Sequence, residues 1–488
     1  MRRLSILLLL VSTAAAAQDG SLARAMQDFN EGRSQRAAAG FRQAAESAAG
    51  DDRAKAEYYL AQSLDRLKLP FSAFFQYAQI VQAGPAHAYW LKAIEGAAVA
   101  AGQLGDDVVA PNVFEKAYNE QVSAVAPAVQ ARIHASLALL AYRAGRHEDA
   151  FRFVERVPAD SQAWPQARYV AGLLAQRTEP EKAVQIFAGF AAMPKAPQEL
   201  KELAGLALGR TLYGLRRYAE ASAAFEKLPR FSRHWDEALF EGAYADLQKG
   251  DPGAALGKLH SLHSPHLRDE FVPESLNLAA IIFHQRCLYS HTRAVLAQFD
   301  REYLPVREQL KNVLATNLPV EEYWRMLGAG DHRLPPAVQH HLQKNERVAS
   351  FRAVLEALDR ESGRIQADSS LSGTPLGSEL LEGIARQKEL TGQLAGKFTQ
   401  GRLTYMARLI DVLEGDKELI VFETTKGEKE RLETRFDVNA QLASQRIRRP
   451  AIPQTGHEYW PFDGEYWPDE IGFYRYTLKD ACARSKEE

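Results

Sequence analysis

The sequence predicts an all-α protein: an α-solenoid of about eight helix-turn-helix units, a long helical extension and an irregular aromatic C-terminal segment. Three observations support this architecture. An apolar triad with helical spacing recurs through the first 300 residues, a heptad-spaced apolar stripe follows it, and two tryptophan-containing motifs lie near the C-terminus. Spacings of three and four residues place side chains on one face of a helix, whereas the final segment has no such period.

Composition narrows the functional classes. The chain has 488 residues, of which 46% are hydrophobic and 25% are charged, as in globular proteins. Its 60 basic and 62 acidic residues give a formal charge of −2, so no overall charge favours nucleic acid. We expect protein partners, either other envelope proteins or extended peptides, and no nucleic acid.

The first 17 residues predict a signal peptide. Arg2 and Arg3 precede the apolar stretch 4–11, and small residues at 15–17 form a cleavage site before Gln18. The stretch is too short to span a membrane, and no cysteine follows the site to carry a lipid anchor. We therefore expect cleavage near Ala17 and a periplasmic or secreted protein without a membrane span or lipid anchor. A buried N-terminal helix is the alternative.

Eight triads, each a small residue followed by apolar residues four and seven positions later, define the repeat. Their first members are separated by 36, 37, 40, 33, 38, 34 and 37 residues. The triads are Ala37-Phe41-Ala44, Ala73-Tyr77-Ile80, Ala110-Phe114-Ala117, Ala150-Val154-Val157, Ala183-Phe187-Phe190, Ala221-Phe225-Leu228, Ala255-Leu259-Leu262 and Thr292-Leu296-Phe299. We expect each triad on the second helix of a pair, packed against a neighbouring helix.

Turns separate the helices of each pair. Gly32, Gly145 and Gly250 each stand five residues before a small triad residue, where a glycine can end a helix. In the third pair, Pro111 must begin the second helix. Helix, turn and helix at a period near 34 residues resembles the tetratricopeptide (TPR) family over about residues 21–303. The resemblance implies a TPR-like solenoid, which we assign to residues 18–304.

The first helices of a solenoid form an extended face that can bind a peptide. Arginines and tyrosines recur on this predicted face, and arginine binds carboxylates with two parallel hydrogen bonds. An acidic extended peptide is the predicted ligand; ordinary solvated side chains are the alternative. The candidate partner-binding residues are Arg132, Tyr142, Arg143, Arg168, Gln176, Arg210, Tyr213, Phe240, Tyr244, Gln248, Asn277 and His284.

Beyond the repeats we expect a helical connector at 305–375, ending in a linker, and a long helical hairpin or coiled-coil-like extension at 376–436. Glycines within the extension predict one or more breaks. Its apolar stripe favours packing on the solenoid over an isolated coiled coil. The stripe is Leu403, Met406, Ile410, Leu413 and Ile420, and the glycines are Gly392, Gly396, Gly401 and Gly415.

Residues 437–488 form the predicted aromatic latch. Glu-Tyr-Trp-Pro occurs at 458–461 and again at 465–468, and so much aromatic area favours burial. The segment either packs on the preceding helices, binds a partner or stacks on sugar rings. The candidate latch residues are Tyr459, Trp460, Phe462, Tyr466, Trp467 and Tyr474.

A narrower resemblance concerns residues 273–305 and 459–476. These stretches resemble the last unit and the C-terminus of envelope TPR proteins linked to adventurous gliding motility in predatory deltaproteobacteria. The resemblance implies a non-catalytic component of a cell-envelope assembly. Some members are lipoproteins, whereas this chain lacks the lipobox cysteine.

Nothing in the sequence predicts an enzyme or a cofactor. Phosphate-binding, zinc-protease and serine-hydrolase motifs are absent from the sequence. His260, His263 and His266 could imitate a zinc site, but Pro265 interrupts the helix between them. We expect no metal and three exposed histidines. A metal-handling or enzyme accessory protein and a cell-wall (glycan) binding protein remain the alternatives to a scaffold.

The only two cysteines are Cys287 and Cys482. An oxidising compartment favours their pairing, and the chain allows one pairing only. A disulfide requires the C-terminal segment to fold back onto the last repeat. Two unpaired thiols are the alternative.

Overall fold

The computed structural model describes residues 20–104, 109–433, 447–448 and 464–482. The predicted signal peptide lies outside these residues. Over the described part of the chain the fold is all-α and TPR-like, with twenty α-helices and one pair of two-residue strands. The described residues form two compact units: unit 1 comprises 20–171 and 346–395, and unit 2 comprises 172–345 and 396–482.

Sixteen helices form the eight predicted pairs. The first helices are α1 (20–30), α3 (Gly50–Arg66), α5 (Trp90–Leu104), α7 (Pro127–Arg143), α9 (Trp164–Thr178), α11 (Gln198–Gly214), α13 (Trp235–Gln248) and α15 (Glu274–Gln285). The second helices are α2 (Ser34–Ser47), α4 (Pro70–Ala83), α6 (Ala110–Ala117), α8 (His147–Glu155), α10 (Pro180–Ala188), α12 (Tyr218–Glu226), α14 (Pro252–Leu262) and α16 (Tyr289–Ala315).

Four more helices follow the pairs. They are α17 (Val320–Arg325), α18 (Pro336–Lys344), α19 (Glu346–Ala367) and α20 (Pro375–Glu433). Short 3₁₀ helices cover Glu120–Ala124 and Gly189–Ala192, and strands β1 (Ile447–Arg448) and β2 (Arg475–Tyr476) pair in antiparallel fashion. Among the described helices, none combines the length and the apolar character needed to cross a bilayer.

The predicted triads carry the packing of the second helices. All first members of the triads are at most 1% exposed, and Phe41 and Phe299 are fully buried. Small residues on first helices let the aromatic rings of the triads approach closely. For example, a Cβ at Gly209 would lie 2.5 Å from the ring of Phe225. Alternating small and large residues therefore interlock the helices, and the predicted repeat is confirmed.

The turns within most of the pairs share one backbone feature. In six pairs, a residue with positive φ stands five positions before the small triad residue. These residues are Gly32, Lys68, Gly145, Arg216, Gly250 and Cys287. The glycine turns were predictable, and Cys287 occupies the equivalent turn of the eighth pair. Lys68 and Arg216 show that the left-handed conformation is imposed by the pair even where no glycine favours it.

In unit 1, α19 and the first part of α20 form a hairpin on the early repeats. Val354, Leu358 and Ile365 of α19 join the core formed by α1 to α7. Glu361, 2% exposed, accepts hydrogen bonds from the backbone N–H groups of Phe71 and Ser72, at 2.7 and 2.8 Å. Its carboxylate thereby satisfies backbone donors at the beginning of α4, which otherwise lack partners in a helix.

In unit 2, the second part of α20 lies along α15 and α16. Leu403, Met406 and Ile410 of the predicted stripe are at most 1% exposed. Lys417, which interrupts the stripe, is 6% exposed and forms an ion pair with Asp300 of α16 at 2.7 Å. The stripe is thus buried on the repeats, and the one charged residue within it has a carboxylate partner.

The extension differs from the prediction in two ways. The expected breaks and the hairpin within 376–436 are wrong, because α20 is continuous across all four glycines; the hairpin instead joins α19 to α20 through residues 368–374. Gly396 is a contact point, since a Cβ there would overlap the carbonyl oxygen of Val320. The expected boundary at 304 is also displaced, because α16 continues through Pro305 to Ala315.

Candidate protein-binding surfaces

All twelve predicted partner-binding residues lie on first helices of the pairs, distributed over α7, α9, α11, α13 and α15. Their surroundings differ, however, in ways that the sequence did not predict. Four of the residues, Arg132, Tyr142, Arg143 and Arg168, belong to unit 1, and the other eight belong to unit 2. Each unit presents a surface with its own chemistry.

In unit 1, Arg143 lines a cavity of about 250 Å³. The cavity is formed by α6, α7, α9 and α19, and its lining residues are Pro111, Asn112, Ser136, Leu139, Leu140, Arg143, Ala144, Gln166 and Arg347. Two of these nine residues are arginines, and none of the nine, all in the described part of the chain, is acidic. The cavity therefore combines positive charge with amide and hydroxyl groups, which suits a carboxylate.

Arg347 and Gln166 were not predicted as site residues. Arg347 lies on α19, about 200 positions after Arg143 in the chain, so no local pattern connects the two. The repeat pattern predicted the face of α7 that carries Arg143, but only the packing of the extension on the repeats places Arg347 beside it.

The other predicted residues of unit 1 have local partners. Arg132 donates a hydrogen bond to the carbonyl oxygen of Ala98 at 3.2 Å. The guanidinium of Arg168 lies 5.8 Å from the centre of the Trp164 ring, and the rings of Tyr142 and His147 are 5.6 Å apart. Arg132 is nonetheless exposed, as is Arg143, so this face of unit 1 remains basic at its surface.

In unit 2, Arg210 is held by two acids. Its guanidinium forms ion pairs with Glu237 at 2.7 Å and with Glu241 at 2.5 Å. Burial opposes ionisation of Glu237, but hydrogen bonds from His234 and Arg210 lower its pKa to about 2. Arg210, predicted to receive an acidic peptide, thus already has two carboxylate partners in its own chain.

An aromatic and acidic surface surrounds this cluster. The rings of Phe240 and Tyr244 pack edge to face at 5.2 Å, and those of Tyr213 and Tyr218 at 5.3 Å. Burial chiefly, and then Glu274, raises the pKa of Tyr244, which keeps this hydroxyl neutral. Gln248 is exposed at the end of the same helix. Gln176 donates to Thr211 Oγ1 at 2.7 Å and so joins two neighbouring first helices.

The extension covers the predicted residues of the eighth pair. Asn277 is 5% exposed and donates to the carbonyl oxygen of Leu413 on α20 at 2.9 Å. His284 Nδ1 lies 3.1 Å from the hydroxyl of Thr424 on the same helix. The expectation that these two residues contact a partner is wrong, because α20 occupies their face.

The C-terminal segment 464–482 packs on the seventh and eighth pairs. Ile471 and Tyr474 are at most 2% exposed, and Tyr466 packs around them, whereas Trp467 is 55% exposed, contrary to the predicted latch. Tyr459, Trp460 and Phe462 lie outside the described residues. The N–H of Gly472 donates to Ser261 Oγ at 2.8 Å.

Two glycines of α14 permit this close approach. A Cβ at Gly257 would overlap the carbonyl oxygen of Tyr474, and one at Gly253 would overlap that of Tyr476. The backbone of 474–476 therefore lies directly on the helix. Cys287 and Cys482 are joined by a disulfide with their Cα atoms 5.2 Å apart, and the N–H of Ala481 donates to the carbonyl oxygen of Arg286 at 3.1 Å.

His260 and His263 are half-buried, which corrects the prediction that they are exposed, whereas His266 is exposed as predicted. The Tyr476 hydroxyl lies 3.2 Å from His260 Nδ1, and His263 Nε2 lies 2.9 Å from Ser275 Oγ. Burial lowers the pKa of each of these two histidines to about 4. His266 is exposed and its Nε2 lies 3.2 Å from the carbonyl oxygen of Tyr466. Each ring thus has a separate structural partner.

Comparisons with known proteins provide little evidence beyond the helix pairs described above. No protein-family model matches the chain, and no curated protein matches it. Among solved structures, the chain is similar to one described as the P58(IPK) TPR domain, with 14% identity over 77% of this chain and 99% of the other, at a TM-score of 0.20. At this TM-score the similarity supports no conclusion about function. The TPR-like character rests on the eight triads, their burial and their turns.

Proposed function

We propose that this protein is a non-catalytic scaffold that binds other proteins through the first helices of its repeats. The single observation that supports it most is the cavity in unit 1, where Arg143 and Arg347, from distant parts of the chain, line one opening. Acidic side chains of an extended partner segment fit this chemistry, because arginine binds carboxylates in a bidentate manner.

The acidic and aromatic surface of unit 2 suits a different partner. Glu237 and Glu241 outnumber Arg210 in their cluster, and the rings of Tyr213, Phe240 and Tyr244 offer apolar area beside them. A segment with basic and aromatic residues is therefore the partner that we propose for unit 2. The scaffold would thus bring together two partners of opposite charge.

The proposed location is the periplasm, after removal of the predicted signal peptide. The resemblance of residues 273–305 and 459–476 to envelope TPR proteins linked to gliding motility makes a cell-envelope assembly the first context to test. Cross-linking in intact cells, followed by purification of the chain and mass spectrometry of its partners, identifies them directly. Partners from the cytoplasm alone would contradict the proposed location.

The binding chemistry can be tested in solution. A fluorescent, N-acetylated and C-amidated octapeptide that alternates Glu and Gly is expected to bind the purified chain, and its Gln-Gly counterpart is not. Arg143→Gln and Arg347→Gln should each weaken binding about ten-fold, since a charged interfacial contact contributes about 1–3 kcal/mol. Arg152→Gln, an exposed arginine paired with Asp149, is the matched control. Equal binding of both peptides would contradict the proposal.

Glycan binding is a second candidate function, favoured by one observation. Trp467 and Phe473 are 55% and 44% exposed on the C-terminal segment, and sugar rings stack on such aromatic faces. Sedimentation with purified peptidoglycan tests this alternative. Retention that is lost in Trp467→Ala would support it, and no retention would exclude it.

A further inference from the structure

A second cavity, of about 220 Å³, lies in unit 2 beneath the C-terminal segment. Phe225, Trp235 and Phe473 supply aromatic walls, and Arg230, Lys258 and Glu226 supply charged groups. The ends of α12 and α13 and one face of α14 form its floor, and residues 471–475 form its roof. Its lining shares no residue with the proposed partner-binding surfaces, although Trp235, Ala238 and Leu239 lie on the first helix α13.

The charges in this cavity are not equally compensated. Lys258 is 5% exposed, and its ammonium forms ion pairs with Asp246 and, at 2.8 Å, with Glu226. Asp246 is fully buried and also accepts hydrogen bonds from Ser222 and Lys249. These charged groups neutralise one another, so that neither Lys258 nor Glu226 requires a ligand.

Arg230 differs from Lys258. Its guanidinium donates a hydrogen bond to the carbonyl oxygen of Pro468 and lies 5.0 Å from the ring centre of Phe473 and 5.8 Å from that of Trp235. Its Nε is buried and has no hydrogen-bond partner among the described residues, nor does any described carboxylate lie within ion-pairing distance of it. Arg230 is half-buried, and Asp469 acts on it only through space, without an ion pair. A bound anion would give the buried Nε the charged partner that it lacks.

We propose that this cavity binds a small organic anion, a carboxylate on a flat apolar body, with its carboxylate paired to Arg230 and its body between Trp235 and Phe473. The volume corresponds to about seven water molecules at liquid density. A ligand of roughly ten non-hydrogen atoms fills such a space. Phosphate or sulfate alone would leave the aromatic walls without contacts, which is why an apolar body is part of the proposal.

The roof couples this site to the C-terminal segment. Ile471, Gly472 and Phe473 contribute to the cavity, so a ligand contacts both the segment and the repeats. A ligand that binds only while the C-terminal segment lies on the repeats stabilises that contact by mass action. The ligand should therefore protect residues 464–482 from proteolysis, as well as bind.

Benzoate is the probe, with benzyl alcohol as the uncharged analogue of the same shape. Isothermal titration and ligand-observed NMR on the full chain should show benzoate binding at least ten-fold tighter than benzyl alcohol. Arg230→Gln should weaken benzoate at least ten-fold and leave benzyl alcohol within two-fold. Arg268→Gln, an exposed arginine whose side chain is 79% accessible, should change neither.

A second variant keeps the test decisive if Arg230→Gln disturbs folding. Ala254 lines the cavity and is 7% exposed; Ala254→Met fills the space without removing a charge and should abolish benzoate binding while circular dichroism stays unchanged. Any of three results would overturn the proposal. These are no binding of benzoate at about 5 mM, equally tight binding of benzyl alcohol, and binding of benzoate to both variants as tight as to the wild type.

Discussion

The two units each hold a C-terminal part of the chain on the repeats, but they do so by different means. In unit 1 the part is a helical hairpin, which joins the core through Val354, Leu358 and Ile365 and through the buried carboxylate of Glu361. In unit 2 the irregular segment 464–482 is joined to the repeats by a disulfide and by the close approach of its backbone to α14.

The difference follows from how far each part can pair its own backbone groups and bury its own apolar side chains. A helix pairs its own backbone groups and presents a continuous apolar face, so packing suffices to hold it. An irregular segment has neither advantage. Only a few of its side chains, such as Ile471 and Tyr474, are fully buried. A covalent link and hydrogen bonds to Ser261 and Arg286 supply what helical packing supplies in unit 1.

The largest expected effect is therefore the loss of the disulfide. Cys482→Ser opens a loop with a sequence separation of 195 residues. On the chain-entropy model, such a loop contributes about 5 kcal/mol to the free energy of unfolding. We expect unit 2 to unfold at lower temperature in calorimetry, and residues 464–482 to become sensitive to proteases.

Dithiothreitol provides the control for this variant. It should reproduce the effect in the wild-type protein and have no effect on Cys482→Ser. If the melting profile and the protease sensitivity of the wild type are unchanged by reduction, hydrogen bonds and side-chain burial alone hold the segment, and the contrast between the units disappears.

Glu361→Ala is the corresponding change in unit 1. It removes the acceptor for the N–H groups of Phe71 and Ser72 and leaves these donors buried. We expect a loss of about 3 kcal/mol, because each unpaired buried donor costs about 1–3 kcal/mol. Hydrogen exchange should accelerate at the beginning of α4. Glu356→Ala, on the exposed face of the same helix, is the control, and an equal effect of both changes would refute the capping role.

The repeats were predictable because their signals are local. Alternation of small and large residues, such as Ala37 and Phe41, sets the packing within each pair, and proline and glycine mark the turns. The breaks expected in α20 were wrong for a physical reason. The cost of a glycine in a helix is only about 1 kcal/mol, which the burial of the apolar stripe on the repeats exceeds. At Gly396 the glycine also permits a close contact with the carbonyl oxygen of Val320.

The candidate sites were less predictable because they join distant parts of the chain. Arg143 and Arg347 share a cavity only through the packing of α19, and Asn277 is covered by α20. No periodicity connects such residues. Arg210 was correctly placed on a first helix, but its neutralisation by Glu237 and Glu241 depends on the alignment of α11 with α13, which a single sequence does not reveal.

A smaller effect is expected where the segment contacts α14. Gly257→Ala places a methyl group where the carbonyl oxygen of Tyr474 lies, so the segment must move away while the helix itself gains propensity. We expect a net loss of about 2 kcal/mol and faster hydrogen exchange at 471–476. Gly415→Ala is the matched control, because a Cβ there meets nothing within 4 Å; it should be neutral or stabilising. Equal behaviour of both variants would contradict the close approach.

The smallest effect is a dependence of unit 2 on pH. Burial lowers the pKa of His260 from 6.5 to about 4, and its ring is surrounded by Tyr466, Tyr474 and Tyr476. The unfolded chain therefore binds the proton more readily than the folded chain. The stabilising contribution of neutral His260 is complete above pH 6.5 and is lost as the pH falls through about 4.

Between pH 6 and pH 5 this histidine alone should lower the free energy of unfolding by about 1 kcal/mol, since one full proton per pH unit corresponds to 1.4 kcal/mol. Urea unfolding of the wild type and of His260→Phe measures this loss of stability, because phenylalanine keeps an aromatic ring and cannot be protonated. The slope of the free energy of unfolding against pH should be smaller in His260→Phe. It should be unchanged in His332→Gln, whose side chain is exposed. An unchanged slope in His260→Phe would mean that other groups in unit 2, such as His263, carry the whole dependence.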